Sequence, residues 1–306
     1  MNYLYSRLKE LTYYRRTVLK CKIMYARALL RRGFKSKGTI LFYPTMPLAY
    51  HILYPICHKL GYRMTTDPNV TFDLAIAFED ATVRKNDEQL SDLSNRYPVL
   101  NARCGDISKE YVDKVFLESF GYGLTIDPGT YRGTYIKKTN QNAMHFGEIH
   151  AAPSTPEKGF VYQKLIDNKT DEHSVTDIRT FIFGNDIPFT LYRKRSIDDR
   201  FNDDTVIARH VATDAAFTTE EKASIIRFCR VFGLDYGELD VLRDNIDGKI
   251  YIVDVNNTPS GPHSGIHMGE KDYDRFLSNM ANAFDVMAMK KSAHAVETVT
   301  PRGLSA

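Results

Sequence analysis

The sequence predicts an α/β protein made of several α+β lobes. Residues 39–78 alternate strand, helix and strand patterns, which is typical of a small parallel sheet. Residues 175–195 and 237–255 each read as a β-hairpin around a turn of Gly, Asn or Asp. Residues 1–32 read as a basic amphipathic helix that ends at Gly33. We therefore expect a helix, a parallel lobe and two hairpin-bearing lobes, in that order.

Length and composition bound the fold. A chain of 306 residues with 43% hydrophobic content can bury the cores of two or three lobes. Its four cysteines are scattered, without a CxxC pair or a secretory signal, so we expect reduced thiols and a cytoplasmic protein. The most apolar stretch, residues 39–60, holds three prolines and two histidines, and we predict no transmembrane helix.

Charge is unevenly distributed along the chain. Residues 1–37 contain eleven Lys and Arg and one acid, a net +10, which leaves −7 for the remainder of a chain whose net charge is +3. The helix of residues 1–32 can pack on its own protein or on a partner subunit, which leaves an oligomer open, or it can bind an anionic membrane surface. We expect no nucleic-acid partner, because the remainder is acidic and no recognition motif accompanies the basic stretch.

The parallel lobe comes next in the chain. Its three strands and one helix are expected at residues 39–43, 62–65, 72–78 and 48–60. No glycine-rich dinucleotide fingerprint follows the first strand, so we do not expect this lobe to bind such a cofactor. Residues 101–122 add a helix that is opened by Asp106 or Ser108 and closed near Gly121.

Five segments are predicted in all. They are a basic helix, the parallel lobe, a central lobe, a C-terminal lobe and a disordered tail, at residues 1–37, 38–122, 123–191, 192–291 and 292–306. Within the C-terminal lobe, residues 196–219 read as a polar loop. Thr218 then caps a helix that runs to Phe232, and residues 273–289 form a last amphipathic helix.

Oxygen ligands are concentrated in the hairpin of residues 237–255. Alternation places Asp254 and Asn256 on one face of the returning strand, and Asp240 can lie across from them. An ionised Asp in an apolar strand is costly unless it is paired or bound to a cation. Two carboxylates and an amide oxygen suit Mg²⁺. The alternative is an ordinary hairpin with a satisfied Asp at its rim.

This hairpin resembles the C-terminal metal-binding hairpin of the ATP-grasp family. The residues that carry the resemblance are Asp240-Val241-Leu242, the Asp-Gly turn, and Asp254 with the Asn-Asn-Thr-Pro that follows Val255. Two departures stand out. Asp254 occupies a position where the family more often has Glu, and Glu238 stands where its peptide-forming ligases often carry an Arg.

The resemblance extends upstream, over roughly half the chain, in the order that the family requires. Lys138 ends a strand and precedes a polar loop, like the family's phosphate-binding lysine, and alternation lets only one of Lys137 and Lys138 face the cleft. The loop carries Asn, Gln and His where the family often has glycines, so its closure stays open. The alternative for Lys137 and Lys138 is a plain edge-strand lysine pair. The resemblance implies that Lys109, with Lys114 as its rival, reaches a nucleotide phosphate, and the alternative is that both are solvated helix lysines.

Residues 159–167 resemble the family's hinge, whose backbone pairs with adenine. The resemblance assigns this contact to the backbone of Lys164 and Leu165 and to the side chain of Gln163, although a core strand is an equal alternative. Asp171, or Glu172 in its place, would take the ribose hydroxyls.

The next hairpin, in residues 175–195, offers three arginines. Arg179, Arg193 and Arg195 could hold a γ-phosphate or a carboxylate bidentately, and the alternative is that they are surface strand residues. Beyond the metal hairpin, His263 and Ser264 lie in a glycine-punctuated loop. They either contact the acceptor substrate or are plain turn residues.

The resemblance implies ATP and Mg²⁺ as cofactors. The implied activity is that of a ligase which activates a carboxylate as an acyl phosphate for attack by an amine or another nucleophile, with a small-molecule or glycan acceptor. The alternatives are a kinase of a hydroxyl acceptor and a non-catalytic nucleotide-binding scaffold. By analogy, the basic helix is similar to that of ATP-grasp-like proteins of bacterial surface-polysaccharide synthesis, peripheral at the inner membrane face.

Overall fold

The described part of the chain forms two compact units. A computed structural model describes residues 2–85, 88–142, 144, 147–201, 207–262 and 268–299. The terminal unit comprises Met1–Glu79, Asn86–Ala102 and Thr258–Ala306, and the central unit comprises Asp80–Lys85 and Arg103–Asn257. This division differs from the five predicted segments, because the chain leaves the terminal unit twice, at Asp80 and at Arg103, and returns to it each time.

The terminal unit is built on a parallel sheet of four strands in the order β2-β1-β3-β4. The elements are β1 (Gly38–Pro44), α2 (Leu53–Leu60), β2 (Tyr62–Thr65), β3 (Leu74–Phe78), α3 (Glu88–Arg96) and β4 (Val99–Leu100). Every strand pair is parallel, as the alternation of strands and helices predicted. Helix α2 begins later than the predicted residue 48, because the His51 ring accepts the Leu48 N–H at 2.9 Å and holds a separate turn there.

Two long helices frame the terminal unit in sequence. Helix α1 (Asn2–Arg31) packs against α2 and buries Cys21 and Ala28. Helix α7 (Glu270–Val299) also packs against α2. It continues through the predicted tail to Val299, which corrects that prediction; the alanines after Ser292 favour a helix. No described helix is long and apolar enough to cross a membrane.

The central unit holds two antiparallel sheets. The large sheet has the order β11-β10-β9-β12-β13 with β8 paired to β9, and the small sheet has the order β6-β5-β7. The small-sheet strands are β5 (Thr134–Thr139), β6 (Gly147–Ala151) and β7 (Phe160–Lys164). The large-sheet strands are β8 (Lys169–Asp171), β9 (Ser174–Phe183), β10 (Asp186–Ser196), β11 (Ile207–Val211), β12 (Tyr236–Arg243) and β13 (Ile250–Asn256).

Three helices complete the central unit: α4 (Lys109–Phe120), α5 (Thr213–Ala216) and α6 (Thr219–Phe232). The predicted caps are confirmed. The Ser108 hydroxyl accepts the Tyr111 N–H at 3.4 Å, and Thr218 forms a capping box with Glu221. The predicted loop of residues 196–219 is wrong in part, because β11 within it pairs with β10 and α5 follows.

The two faces of the large sheet differ in chemistry. One face carries Ile178, Leu239 and Val255, which are buried in the main core together with α4 and α6. Most of the charged residues of β9, β10, β12 and β13, among them Asp177 and Asp240, occupy the alternate positions and so point to the other face. The helices α4 and α6 thus cover the apolar face of the sheet, and the charged residues lie on the opposite face.

Candidate active site

Eight polar positions share one face of the large sheet, and we call them the polar sheet face. They are Asp177, Arg179, Arg193, Arg195, Glu238, Asp240, Asp254 and Asn256. Register brings them together across four strands: Arg193 lies opposite Asp177, Arg179 opposite Asp240, and Asp240 opposite Asp254. A cation therefore faces an acid between β10 and β9 and between β9 and β12, whereas two carboxylates face each other between β12 and β13.

The candidate metal ligands lie on the last two strands. Asp240 is directly opposite Asp254 and Glu238 is opposite Asn256, so the predicted cross-hairpin placement of the two acids is confirmed. No group of three or more His, Cys, Asp or Glu that could hold a metal ion occurs in the described residues. Mg²⁺ commonly takes one or two carboxylates together with substrate phosphates. Asp240, Asp254 and the Asn256 amide oxygen fit that donor set.

Arg179 is held between the two acids of β12. Its Nη1 lies 3.0 Å from Glu238 Oε1, and its Nε lies 3.1 Å from Asp240 Oδ1. The Glu238 side chain is only 3% exposed, so its charge requires a partner within the protein. The Arg179 guanidinium of β9 therefore contacts both acids of β12.

The two facing carboxylates ionise differently. Burial acts to raise the pKa of Asp240, but Arg179 and Arg193 together outweigh it and hold this pKa at about 2. Burial raises the pKa of Asp254, and Lys109, whose Nζ lies 3.2 Å from Asp254 Oδ1, offsets this only in part. Asp240 is thus firmly ionised, whereas Asp254 accepts a proton more readily.

Neighbouring lysines of β5 have different surroundings. The Lys137 ammonium pairs with Glu157 and lies 4.2 Å from the centre of the Phe160 ring. Lys138 has no ion-pair partner among the described residues, although the charges of Lys109, Asp254, Asp113 and Asp177 all act on it. Burial, and then the like charge of Lys109, lowers the pKa of Lys138 to about 8. Lys138 is therefore the β5 lysine whose surroundings include the acids of the polar sheet face.

Helix α4 connects the two sheets through one of its faces. Lys109 reaches Asp254 on β13, while Asp113, one turn later, accepts a hydrogen bond from Gln163 Nε2 on β7 at 2.8 Å. The Asn140 side chain accepts the Glu110 N–H at 3.0 Å, so the loop after β5 starts against the helix N-terminus. Lys114, the alternative to Lys109, is exposed on α4.

Arg195 belongs to a buried network of the polar sheet face. Its guanidinium donates to Asp177, whose second oxygen accepts from Asn168 Nδ2 at 3.0 Å. Arg200 Nη2 donates to Asn168 Oδ1 at 2.8 Å. Arg193 and Arg195 are 6% and 5% exposed, so neither is an ordinary surface strand residue.

The expected hinge is tied to the turn of the metal hairpin. The Lys164 N–H donates to Leu124 O at 2.9 Å, and its ammonium contacts Asp244 and Asp247, each at 3.3 Å, and the Tyr251 hydroxyl. The neighbouring Leu165 is only half-buried. The Lys164 N–H is thus already used within the protein.

The expected ribose ligand is occupied by a surface ion pair. Lys194 Nζ donates to Asp171 at 2.8 Å, and this bond comes first among the causes that lower the pKa of Asp171 to about 2. Glu172, the alternative, is exposed. His263 and Ser264 lie outside the described residues.

Sequence reasoning missed three residues that the structure places in or beside the site: Asp113, Asp177 and Glu238. Asp113 follows Lys109 by four residues, a spacing that puts both on one helix face and could have found it. Asp177 precedes Arg179 by two residues and so shares its strand face. Glu238 likewise precedes Asp240 by two residues and shares its strand face, but its partner Arg179 lies on a neighbouring strand.

Comparison with known proteins identifies similar structures but no similar sequence family. No protein-family model matches the sequence, and neither does any curated protein. The D-alanine–D-alanine ligase from Bacillus anthracis complexed with ATP matches with a TM-score of 0.52 at 14% identity, over 84% of this chain and 98% of that chain. A second structure of that ligase also gives 0.52, at 12% identity, over 85% and 98%.

A third similarity is shorter. The ATP-grasp ligase PsnB complexed with a minimal precursor matches with a TM-score of 0.42 at 15% identity, over 62% of this chain and 63% of that chain, which is less than two thirds of either. At such identities structural likeness shows the fold alone. The predicted α/β class is confirmed, and the chain has the architecture of the ATP-grasp fold.

Proposed function

We propose that this protein is a Mg-ATP-dependent ligase that activates a carboxylate as an acyl phosphate for attack by an amine or another nucleophile. The observation that carries the proposal is the pairing on the polar sheet face. Asp240 is neutralised by Arg179 and Asp254 by Lys109. These pairs hold both halves of a Mg-ATP site, acids for the metal and cations for the phosphates.

Binding would then exchange one set of ion pairs for another. Mg²⁺ held by Asp240, Asp254 and Asn256 would neutralise charge on the transferred phosphoryl group. Lys109, released from Asp254, and Lys138 would contact phosphate oxygens. In this exchange Asp254 would pass from Lys109 to Mg²⁺ and Lys109 from Asp254 to a phosphate, so each would keep a partner of opposite charge.

Other residues of this chain would position the nucleotide and the acid. Arg193 and Arg195, both buried, would hold the γ-phosphate or the substrate carboxylate. The adenine would lie along Gln163, Lys164 and Leu165. Since the Lys164 N–H is bonded within the protein, the Leu165 backbone and the Lys164 carbonyl are the groups that we assign to this contact.

In the proposed reaction, a carboxylate oxygen attacks the γ-phosphorus and the bond to the bridging oxygen of ADP breaks. The nucleophile then adds to the acyl carbon and loses its proton, and inorganic phosphate leaves. The Bacillus anthracis protein of the same fold is a ligase complexed with ATP, which supports this class of reaction. A small-molecule or glycan acceptor of surface-polysaccharide modification, at the inner membrane face, is our proposal for the biological setting.

One observation favours a second candidate, a nucleotide-binding scaffold without turnover. Glu238 occupies the position of the family's arginine, and it engages Arg179 in an ion pair of 3.0 Å. If this pair persists with ATP bound, Arg179 is not available to the substrate. Turnover assays separate the two candidates.

The test is trapping of the acyl phosphate. The protein is incubated with Mg-ATP, hydroxylamine and pools of carboxylic acids, and hydroxamate and ADP are measured together. A ligase produces both in equal amounts with a suitable acid. ADP formed with a hydroxyl compound and without hydroxamate indicates a kinase. Tight ATP binding without ADP release under any pool indicates a scaffold.

A further inference from the structure

Helix α1 exposes an apolar stripe on its outer face. Leu19, Ile23 and Leu30 follow one another at spacings of four and seven residues, which places them on one side of the helix. They are 60%, 44% and 59% exposed, although α1 packs against α2 through Cys21 and Ala28 on its opposite side. The helix therefore has one apolar face inside the terminal unit and a second one in solvent.

Phe34 is a further exposed apolar residue, just beyond the end of the helix. It has a positive φ of 62°, which is uncommon for a bulky residue, and its side chain is 76% exposed. Its N–H donates to Leu29 O at 2.8 Å, so the local turn fixes the backbone there. An aromatic ring is thus exposed to solvent shortly after α1 ends.

Basic residues flank the stripe on both sides. At 100° per residue, Arg15 and Lys22 lie along one edge, and Arg16, Lys20, Arg27 and Arg31 lie along the other. All six are exposed, and residues 11–66 contain no acid. Lys20 contacts Glu270 of α7 at 2.8 Å. We call this surface, the three apolar residues and the six basic ones, the outer face of α1.

We infer that the outer face of α1 docks on an anionic lipid surface. An anionic bilayer has negative headgroups above a hydrocarbon layer, and this arrangement matches an apolar stripe between two rows of cations. Lys and Arg can place their charges at the level of the headgroups while their aliphatic stems lie in the apolar layer. A second copy of this chain is a poor occupant. A two-fold contact would place cations against cations.

The test is co-sedimentation of the full chain with phosphatidylcholine vesicles, with and without about 30% phosphatidylglycerol, at low and physiological salt. We expect binding to the anionic vesicles that weakens with salt. Replacing Arg15, Arg16, Arg27 and Arg31 by Gln should weaken binding at least about a hundredfold, since each basic residue near such a surface contributes roughly fivefold. Leu19→Ser/Ile23→Ser/Leu30→Ser should abolish the binding that survives physiological salt.

Matched controls lie elsewhere on the protein. The control for the apolar variant is Leu117→Ser/Val231→Ser/Ile246→Ser, which also removes three exposed apolar side chains. The control for the charge variant replaces four exposed basic residues by Gln and so removes the same charge; they are Lys85, Arg132, Lys158 and Lys169. Both should bind as the wild type does.

Three outcomes overturn the inference. The first is that the wild type binds neutral and anionic vesicles equally. The second is that the control variants lose as much vesicle binding as the α1 variants do. The third is that the wild type is a dimer in solution and Leu19→Ser/Ile23→Ser/Leu30→Ser converts it to a monomer. The last outcome would assign the surface to a second copy. None of these measurements depends on nucleotide turnover.

Discussion

The polar sheet face and the outer face of α1 both concentrate cations, but they handle them in opposite ways. At the polar sheet face, Arg179 and Arg195 of the sheet and Lys109 of α4 each contact a carboxylate, and these side chains are buried or half-buried. On α1 the cations are exposed along a stretch without acids. The cations of the polar sheet face are neutralised by acids of the protein, whereas those of α1 are neutralised largely by ions in the solvent.

This difference follows from the cost of a buried charge. A charge removed from water must be paired at every stage, so ligand binding to the sheet face has to replace partners one for one. Exposed charges carry no such requirement, and their attraction to an anionic surface is screened over roughly 8 Å at physiological salt. We therefore expect selective binding at the sheet and salt-sensitive binding at α1.

The largest effect is expected when an acid of the sheet face is removed. Asp254→Asn keeps the shape of the side chain but leaves Lys109 without its ionic partner and the metal with one carboxylate. We expect an intact fold, by circular dichroism, and a loss of Mg-ATP turnover of roughly a hundredfold or more, by ADP release. Asp186→Asn, at the exposed far end of the same sheet, should retain the wild-type rate. Wild-type ADP release by Asp254→Asn would exclude the metal assignment.

The next effect concerns stability and tests the compensation itself. Arg179→Ala removes the ion-pair partner that lies 3.0 Å from the buried Glu238 and one of the cations beside Asp240, so it should lower the free energy of unfolding by about 3 kcal/mol in urea titrations. Adding Glu238→Gln should recover part of this loss. Arg230→Ala, on an exposed position of α6, should change stability by less than about 0.5 kcal/mol. Purely additive losses in the double variant would argue against coupling of the pair.

A smaller effect distinguishes the two lysines of β5. Lys138→Ala should weaken ATP binding by about tenfold to a hundredfold, because it removes a half-buried cation that interacts with the acids. Lys137→Ala should change it by less than about threefold, because its ammonium already pairs with Glu157. Calorimetric titration with ATP measures both. If the two variants lose the same affinity, the orientation assigned to β5 is wrong.

The smallest effect is a dependence on pH. Burial lowers the pKa of Lys138 to about 8 from the ordinary 10.5, so the ammonium that would bind phosphate is lost above that pH in the free protein. ATP affinity should be flat below pH 8 and fall by up to about tenfold per unit above it. Lys138→Arg should bind ATP with no such fall, because the guanidinium keeps its charge. A fall of the same size in Lys138→Arg would assign the effect to another group.

The same shift affects stability, with a definite sign. Between pH 8 and 10.5 the unfolded chain holds the Lys138 proton while the folded chain has released it. The contribution of Lys138 to stability is therefore unfavourable below pH 8 and improves as the pH rises through this window. Lys138→Met should remove this slope from urea titrations.

Local patterns predicted much of the fold and the centre of the site. Alternation in the last hairpin placed Asp240 across from Asp254, and both predicted helix caps were found, because these features depend on residues close in sequence or on one strand pair. The return of α7 to the parallel lobe was missed. That contact depends on buried apolar surfaces more than two hundred residues apart, which periodicity in one segment does not report.

The site shows the same limit. The Arg179–Glu238 pair joins two strands separated by β10, β11 and two helices, and no motif links them. Strand β11 was missed because its five residues carry no clear alternation; its pairing with β10 identifies it. Ion pairs between strands that are far apart in sequence can be identified only when the pairing of those strands is known.

The Arg179–Glu238 pair also restricts how this protein can change by mutation. Glu238→Arg alone would set a second guanidinium against Arg179, and Arg179→Glu alone would add a third carboxylate beside Glu238 and Asp240. Each single step is unfavourable, while exchanging both residues keeps the charge balance. The two positions are therefore epistatic. A series of mutations that moves the arginine to β12 would have to pass through a neutral residue, such as Gln at residue 238. The free energies of unfolding of the single and double exchange variants would measure the stability cost of each step.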